Sequence, residues 1–247
     1  MEATIKKEEF IYGDELNLHG FLAYDSSKTE KVPGVIVVHD GFGHEEYCKS
    51  RAIQLAELGY VGFALDMFGE GKTHSTLTEA RVTIEESLKS FDKSIVKFAK
   101  ALEVLKSNKH CDPDRIAAIG YSYGGMIVLN MAKAGIDLKG VASFHGALNS
   151  EVKAEKGKCK AKILVCNGEA DPAITQEHIE NFKKEFDQAE IPYKFINYPG
   201  AKHAFTNPAA TARGKELALS AMLEYNEKID KESWAELESF LKEIFSI

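Results

Sequence analysis

The hydrophobic and polar positions of the chain change texture near residue 32. Before it, "EEFIY" (Glu8 to Tyr12) and "LNLHGFLAY" (Leu16 to Tyr24) read as two strands joined by a Gly13-Asp14 turn. The second alternates only in part, as a strand near a sheet edge does. After it come short apolar runs rich in Val, Ile and Phe. They are "GVIVVH" (Gly34 to His39), "VGFALD" (Val61 to Asp66), "RIAAIG" (Arg115 to Gly120), "GVASFH" (Gly140 to His145), "KILVCNG" (Lys162 to Gly168) and "YKFINY" (Tyr193 to Tyr198). Runs without strict alternation suit strands buried on both faces, as in a parallel sheet. Between them lie helical stretches: Glu45 to Leu58, about Ile84 to Leu105, Gly125 to Ala134 and Thr175 to Ala189. In "SFDKSIVKFAKALEVL" the positions Phe91, Ile95, Phe98, Leu102 and Leu105 recur at near-helical spacing. The tail reads as helical throughout, "GKELALSAMLEYNEKI" followed by "DKESWAELESFLKEIF". Trp234, Leu237, Leu241 and Ile244 form its core stripe, and Asp230 is placed to cap the second segment.

Strand-helix alternation predicts right-handed crossovers and an α/β fold, a mostly parallel sheet of about eight strands with helices on both faces. No repeat, low-complexity tract or linker divides the 247 residues, so one domain over 1–247 is expected. An apolar share of 44% and a net charge of -7 describe an ordinary acidic globular chain and speak against a nucleic-acid partner. The polar N-terminus lacks a signal-peptide core, and no run reaches the length of a membrane span. Cys48, Cys111, Cys159 and Cys166 are scattered without a C-x-x-C pair. The expectation is a cytoplasmic protein without structural disulfides, metal or organic cofactor and without a membrane partner. Nothing in the sequence speaks to its oligomeric state.

The candidate chemistry begins at Gly120-Tyr121-Ser122-Tyr123-Gly124. Five letters of the form G-x-S-x-G carry little by themselves. Here they follow a predicted strand and open a predicted helix, the context of a nucleophile elbow. A serine hydroxyl needs a histidine base, and the base an orienting carboxylate. In α/β hydrolases the carboxylate follows the serine and the histidine follows the carboxylate. Among the later histidines, His145 ends a strand before any suitable carboxylate, and His178 lies inside a helix. His203, in "YPGAKHAF", follows a strand and a Pro-Gly turn. "ILVCNGEADP" supplies Asp171, with Glu169 as the alternative. Oxyanion donors are expected at the backbone N–H of Tyr123 and of Gly41, in the turn "HDGFGHEE". Asp40, Phe42 and Arg81 are candidate substrate contacts.

Taken together, "VIVVHDGFG", "DMFGEG", "DPDRIAAIGYSYGG", "CNGEADP", "PGAKHAFTNP" and "EYNEKIDKESWAELESFL" resemble the dienelactone hydrolase family of α/β hydrolases, from about Val32 onward. The resemblance implies a triad of Ser122, Asp171 and His203, oxyanion donors at Gly41 and Tyr123, and a small-molecule ester or lactone as substrate. Three departures stand out. The enzyme that names the family carries a cysteine where this chain has Ser122, and a glutamate where it has Asp40. It holds its substrate carboxylate with arginines, one of them shortly after the histidine, where this chain reads "AFTNPAATAR" with Asn207 early and Arg213 late. Arg81 is a possible source of a cation. A serine hydrolase of esters or lactones of small acids is the expected activity. The alternatives are a peptidase or acyl transferase of the same fold, and a non-catalytic binding protein.

Overall fold

The computed structural model describes residues 4–246. Eight strands follow the order β1-β2-β4-β3-β5-β6-β7-β8 in a mostly parallel sheet. Contacts cluster into two compact units, Met1–Ala118 and Ile119–Ile247.

The first unit opens with β1 (Ile5–Tyr12) and β2 (Leu18–Asp25), paired antiparallel. The expected turn at Gly13-Asp14 is longer than two residues. Gly13 and Asn17 take left-handed backbone on either side of a short 3-10 turn, Asp14–Leu16. β2 pairs antiparallel with β4 (Val61–Leu65), and β4 pairs parallel with β3 (Val32–Val38). Two of the apolar runs read as doubly buried strands lie in this unit and are buried, every residue from Val35 to Val38 and from Val61 to Leu65 being out of solvent, whereas the run Tyr193 to Tyr198 of the second unit is not, with only Tyr198 buried at the edge of the sheet. Helix α1 (Glu46–Glu57) lies on β2, β3 and β4.

The single helix expected from Ile84 to Leu105 is two. A capping box, with the Thr76 hydroxyl accepting from Glu79 N and the Glu79 carboxylate accepting from Thr76 N, starts α2 (Leu77–Lys89). Ser90 leaves helical geometry and α3 (Phe91–Ser107) begins anew. α3 buries Phe98, Ala101, Leu102 and Leu105, so the expected stripe is correct from Phe98 onward.

Buried polar side chains hold the strand exits of this unit. The Asp66 carboxylate, wholly buried, accepts from the backbone N–H groups of His19, Phe68, Gly69 and Gly71 at 2.7–3.2 Å. Lys97 Nζ donates to the carbonyls of Met67 and Phe68 at 2.9 and 2.8 Å. His39 ties the exit of β3 to that of β4. Its Nδ1–H donates to Asp40 O at 2.7 Å, and its Nε2 accepts from Met67 N–H at 3.1 Å. Both bonds are satisfied only by the neutral ring. Burial pushes the His39 pKa down to about 4, with the bond to Asp40 O and the nearby Asp66 charge opposing and His44 and Lys97 assisting.

In the second unit, β5 (Cys111–Tyr121) continues past the division into α4 (Tyr123–Lys133), which is buried along its whole length. β6 (Gly140–Phe144), β7 (Lys162–Gly168) and β8 (Tyr193–Tyr198) are parallel neighbours. α4 packs on β6. α5 (Gln176–Gln188) stacks Phe182 and Phe186, and both rings meet Tyr193 of β8. Lys133, nearly inaccessible, pairs with Glu185 at 3.0 Å and fastens α4 to α5.

The tail departs from its expected form. α6 covers only Ala210–Glu216, and the chain then turns through a left-handed Ala218. α7 (Glu227–Phe245) is capped by Asn226, whose side chain accepts from Ile229 N, and not by Asp230, which lies inside the helix. Its buried face is Ile229, Ser233, Leu237, Phe240, Leu241 and Phe245, with Trp234 half-buried.

Two predictions follow from the polar anchors. Asp66→Ala leaves four backbone N–H groups without their acceptor, and its urea midpoint is expected to report a loss of about 3 kcal/mol, Asp66→Asn losing less. For His39, the unfolded chain takes up a proton below its ordinary pKa of about 6.5, and the native chain does so only near 4. Its contribution is thus complete above pH 6.5 and is lost as pH falls toward 4, by about 3 kcal/mol at most. Urea midpoints across that window should fall less steeply for His39→Gln than for the parent.

Candidate active site

Ser122 sits at φ 52°, ψ −113°, between the end of β5 and the first residue of α4. Such a turn brings strand and helix backbones together. A Cβ on Gly120 would lie 2.1 Å from the carbonyl oxygen of Gly124, so only glycine fits there. Gly125 is confined less tightly, its Cβ lying 2.7 Å from Ser143 Oγ if it carried one. Ser122 N–H donates to Phe144 O at 2.9 Å, which anchors the turn to the exit of β6.

His203 comes from the loop after β8. That loop is held by backbone bonds from the segment following α6: His203 N–H donates to Met222 O at 3.0 Å, and Asn226 N–H to Phe205 O at 3.0 Å. Ser122 Oγ and His203 Nε2 stand 2.8 Å apart. On the other side of the ring, His203 Nδ1 stands 2.6 Å from Asp171 Oδ2. A carboxylate accepts only, so Nδ1 carries the proton and Nε2 presents its lone pair to the serine hydroxyl. Asp171 is buried, and its second oxygen, Oδ1, accepts from Ala173 N–H at 2.8 Å within the turn closed by Pro172. The carboxylate is fixed on both oxygens. This arrangement can take a proton from a hydroxyl and return it to a leaving group.

The other candidates have different places. Glu169 is exposed and accepts from Gly200 N–H at 3.4 Å. His178 completes the capping box of α5 with Thr175. His145 is buried beside His203, their ring centroids 5.3 Å apart, and its Nε2 lies 2.8 Å from Thr206 Oγ1. It packs under the site, as its position at a strand end suggests, and its bond to Thr206 carried no signal in the sequence.

Tyr123 N–H is the first of α4, where the free N–H groups and the helix dipole favour negative charge. In the first unit, Gly41 is buried in the turn after β3, and a Cβ there would meet Ile84 at 2.9 Å. Asp40 is buried and its Oδ1 accepts from Phe42 N–H at 2.8 Å, closing that turn. Phe42 is half-buried, and its carbonyl accepts from His74 N–H at 2.9 Å. Arg81 is exposed on α2. The course of segment 67–84, illegible beforehand, is an Asp66-centred turn, a Gly43–Thr73 bridge and the start of α2. Phe68 meets His39 edge-on and His74 at a tilt there.

Burial pushes the thiols of Cys48, Cys111 and Cys166 up, to about 12 for the latter two, away from reactive thiolate. Among the described residues no His, Cys, Asp and Glu group could hold a metal ion, and no helix is long and apolar enough to cross a membrane.

The model of the dienelactone hydrolase family matches residues 18–245. A Yersinia pestis protein named as a candidate carboxymethylenebutenolidase is 27% identical over 216 residues, 83% of this chain and 78% of that one. The solved structure of m3DLH is 31% identical with a TM-score of 0.91, covering 97% of this chain and 98% of that one. A dienelactone hydrolase-like promiscuous phosphotriesterase from metagenomic libraries is 27% identical with a TM-score of 0.89, over 97% and 98%. The chain has the α/β-hydrolase fold and belongs to the dienelactone hydrolase family, hydrolases of ester and lactone bonds.

Proposed function

We propose that this chain is a serine hydrolase that cleaves carboxylic esters or lactones of small acids through an acyl-enzyme on Ser122. The observation that carries the reading is the continuous hydrogen-bonded line Ser122 Oγ–His203 Nε2 and His203 Nδ1–Asp171 Oδ2, at 2.8 and 2.6 Å. Ser122 Oγ attacks the carbonyl carbon as its proton passes to His203 Nε2. The tetrahedral oxyanion is taken by the backbone N–H groups of Gly41 and Tyr123. His203 returns the proton to the departing alkoxide, which leaves from an ester and stays tethered in a lactone. Water, deprotonated by His203, then releases the acid and restores Ser122. Asp171 holds the imidazole tautomer and stabilises the imidazolium without taking the proton. The chemistry needs no cofactor or metal. Asp40 and Phe42 form the turn that carries Gly41, and Arg81 supplies a cation on the first unit for an acidic substrate. The reading takes the chain as one catalytic domain acting on a small molecule in the cytoplasm.

A second reading follows from the phosphotriesterase relative: the same Oγ attacks phosphorus, and water releases the phosphoryl group. Release of phenol from an aryl phosphotriester beyond one equivalent per chain would support it. A single stoichiometric burst would reduce the reaction to inhibition.

Ser122→Ala is expected to lower kcat on aryl esters of short acids by at least about 10⁴-fold with KM little changed, and to abolish labelling by a serine-reactive phosphonate. Activity within tenfold of the parent would sink the assignment.

A further inference from the structure

We infer that the dipeptide Phe144-His145, at the exit of β6, sets the separation of nucleophile and base, with His145 the positioning residue for His203. The inference rests on the serine-hydrolase reading and deepens it.

Ser122 and His203 reach each other from loops 81 residues apart in sequence. Each is tied to one of two consecutive residues. The Phe144 carbonyl accepts from Ser122 N–H at 2.9 Å, and the His145 side chain bonds Thr206, three residues past His203, at 2.8 Å. His145 N–H also donates to Cys166 O at 2.8 Å, in the strand whose exit leads to Asp171. All three members of the proposed triad are therefore referenced to one short segment.

The backbone of His145 is unusual for a side-chain-bearing residue. Its φ is 40°, in the left-handed region, where a buried imidazole is held only if its surroundings over-determine it. They do so here. The side chain is 1% exposed, and its ring lies edge-on to His203 and to Phe205, both at 5.3 Å, and within 6.0 Å of Tyr121. The left-handed turn lets the Phe144 carbonyl face the elbow while the next side chain faces the His203 loop. Thr206, also 1% exposed, is the far end of this link. Backbone bonds to Met222 and Asn226 hold the His203 loop on one side, and the His145–Thr206 bond holds it from beneath.

A role in distance-setting differs from packing. Removing the Thr206 hydroxyl while keeping its shape should free the imidazole to drift, and a misplacement of about 1 Å costs about 100-fold in rate. Thr206→Val is expected to lower kcat about 10- to 100-fold, with KM within about threefold, while Thr206→Ser recovers most of the loss. His145→Phe, which keeps a ring among Tyr121, His203 and Phe205, should match Thr206→Val, and the double variant should be no worse than either single one. Urea midpoints measured in parallel report folding; should His145→Phe not fold, the Thr206 pair decides alone. Thr206→Val within twofold of the parent kcat, additive losses in the double variant, or Thr206→Ser as poor as Thr206→Val would overturn the inference. The parent's labelling by a serine-reactive phosphonate separates the two levels. An unlabelled parent removes the serine-hydrolase reading itself, whereas a labelled parent and a Thr206→Val chain labelled equally fast remove only the role of His145.

Discussion

The backbone of Ser122, at φ 52° and ψ −113°, is the constraint on which the second unit is organised. An L-residue with a side chain resists that conformation, so it survives only where neighbours hold it. The hold begins in sequence, with glycine at 120, where any Cβ would strike the Gly124 carbonyl at 2.1 Å. It continues in α4, which has no solvent face to slide along and is pinned to α5 by the buried Lys133–Glu185 pair. It ends at β6, whose last carbonyl takes the Ser122 N–H. Once the turn is fixed, the serine hydroxyl meets His203 at 2.8 Å, and His203 and Asp171 reach it from the exits of β8 and β7.

The first unit meets a similar demand by other means. Parallel strands end with backbone N–H groups that have no ladder partner, and short buried turns cannot hand them to water. Here side chains take that role. Asp66 gathers four N–H groups, Asp40 takes that of Phe42, and a neutral His39 joins the two exits by one donated and one accepted bond. Buried carboxylates and a buried imidazole are costly to desolvate, and they are tolerated because each finds its partners among backbone dipoles. The turn bearing Gly41 is therefore rigid by construction, as a preorganised oxyanion donor requires under the proposed mechanism.

Legibility followed the same physics. β3, β4 and β7 were readable because burial on both faces leaves continuous apolar runs with sharp ends, whereas β8, in which only Tyr198 is buried, was readable from its aromatic and β-branched residues. The line Ser122, Asp171, His203 was readable because strand exits, a Pro-closed turn and chain order each restrict where a reacting group can stand. The break at Ser90 was not. "LKSFDKS" contains neither glycine nor proline, and Leu88, Phe91 and Ile95 carry the apolar spacing across it. The segment Leu217 to Tyr225 misled for a different reason. Its composition is helical, yet its backbone is drawn off to hold the His203 loop through Met222 and Glu224, a tertiary demand that local propensity does not encode. Asn226 then displaces Asp230 as the cap because the helix can start only after that loop is bound. The polar anchors His39 and Asp66 were invisible as anchors, since their partners are backbone groups.

The serine in place of a cysteine bears on Asp40 as well. A thiol ionises near neutrality and can await its substrate as a thiolate, aided or restrained by nearby charge. A hydroxyl does not, and must surrender its proton during attack to a base already in hydrogen-bond contact. Under the proposed mechanism, the 2.8 Å contact between Ser122 and His203 provides that base in the resting chain. No second carboxylate is then needed to manage the nucleophile's ionisation. An aspartate, shorter than the glutamate of the enzyme that names the family, can turn inward and close the turn through Phe42 N–H, as Asp40 does at 2.8 Å. Under the proposed mechanism the two departures are one: with a hydroxyl as nucleophile, the acidic side chain after β3 is released to hold the Gly41 turn in place.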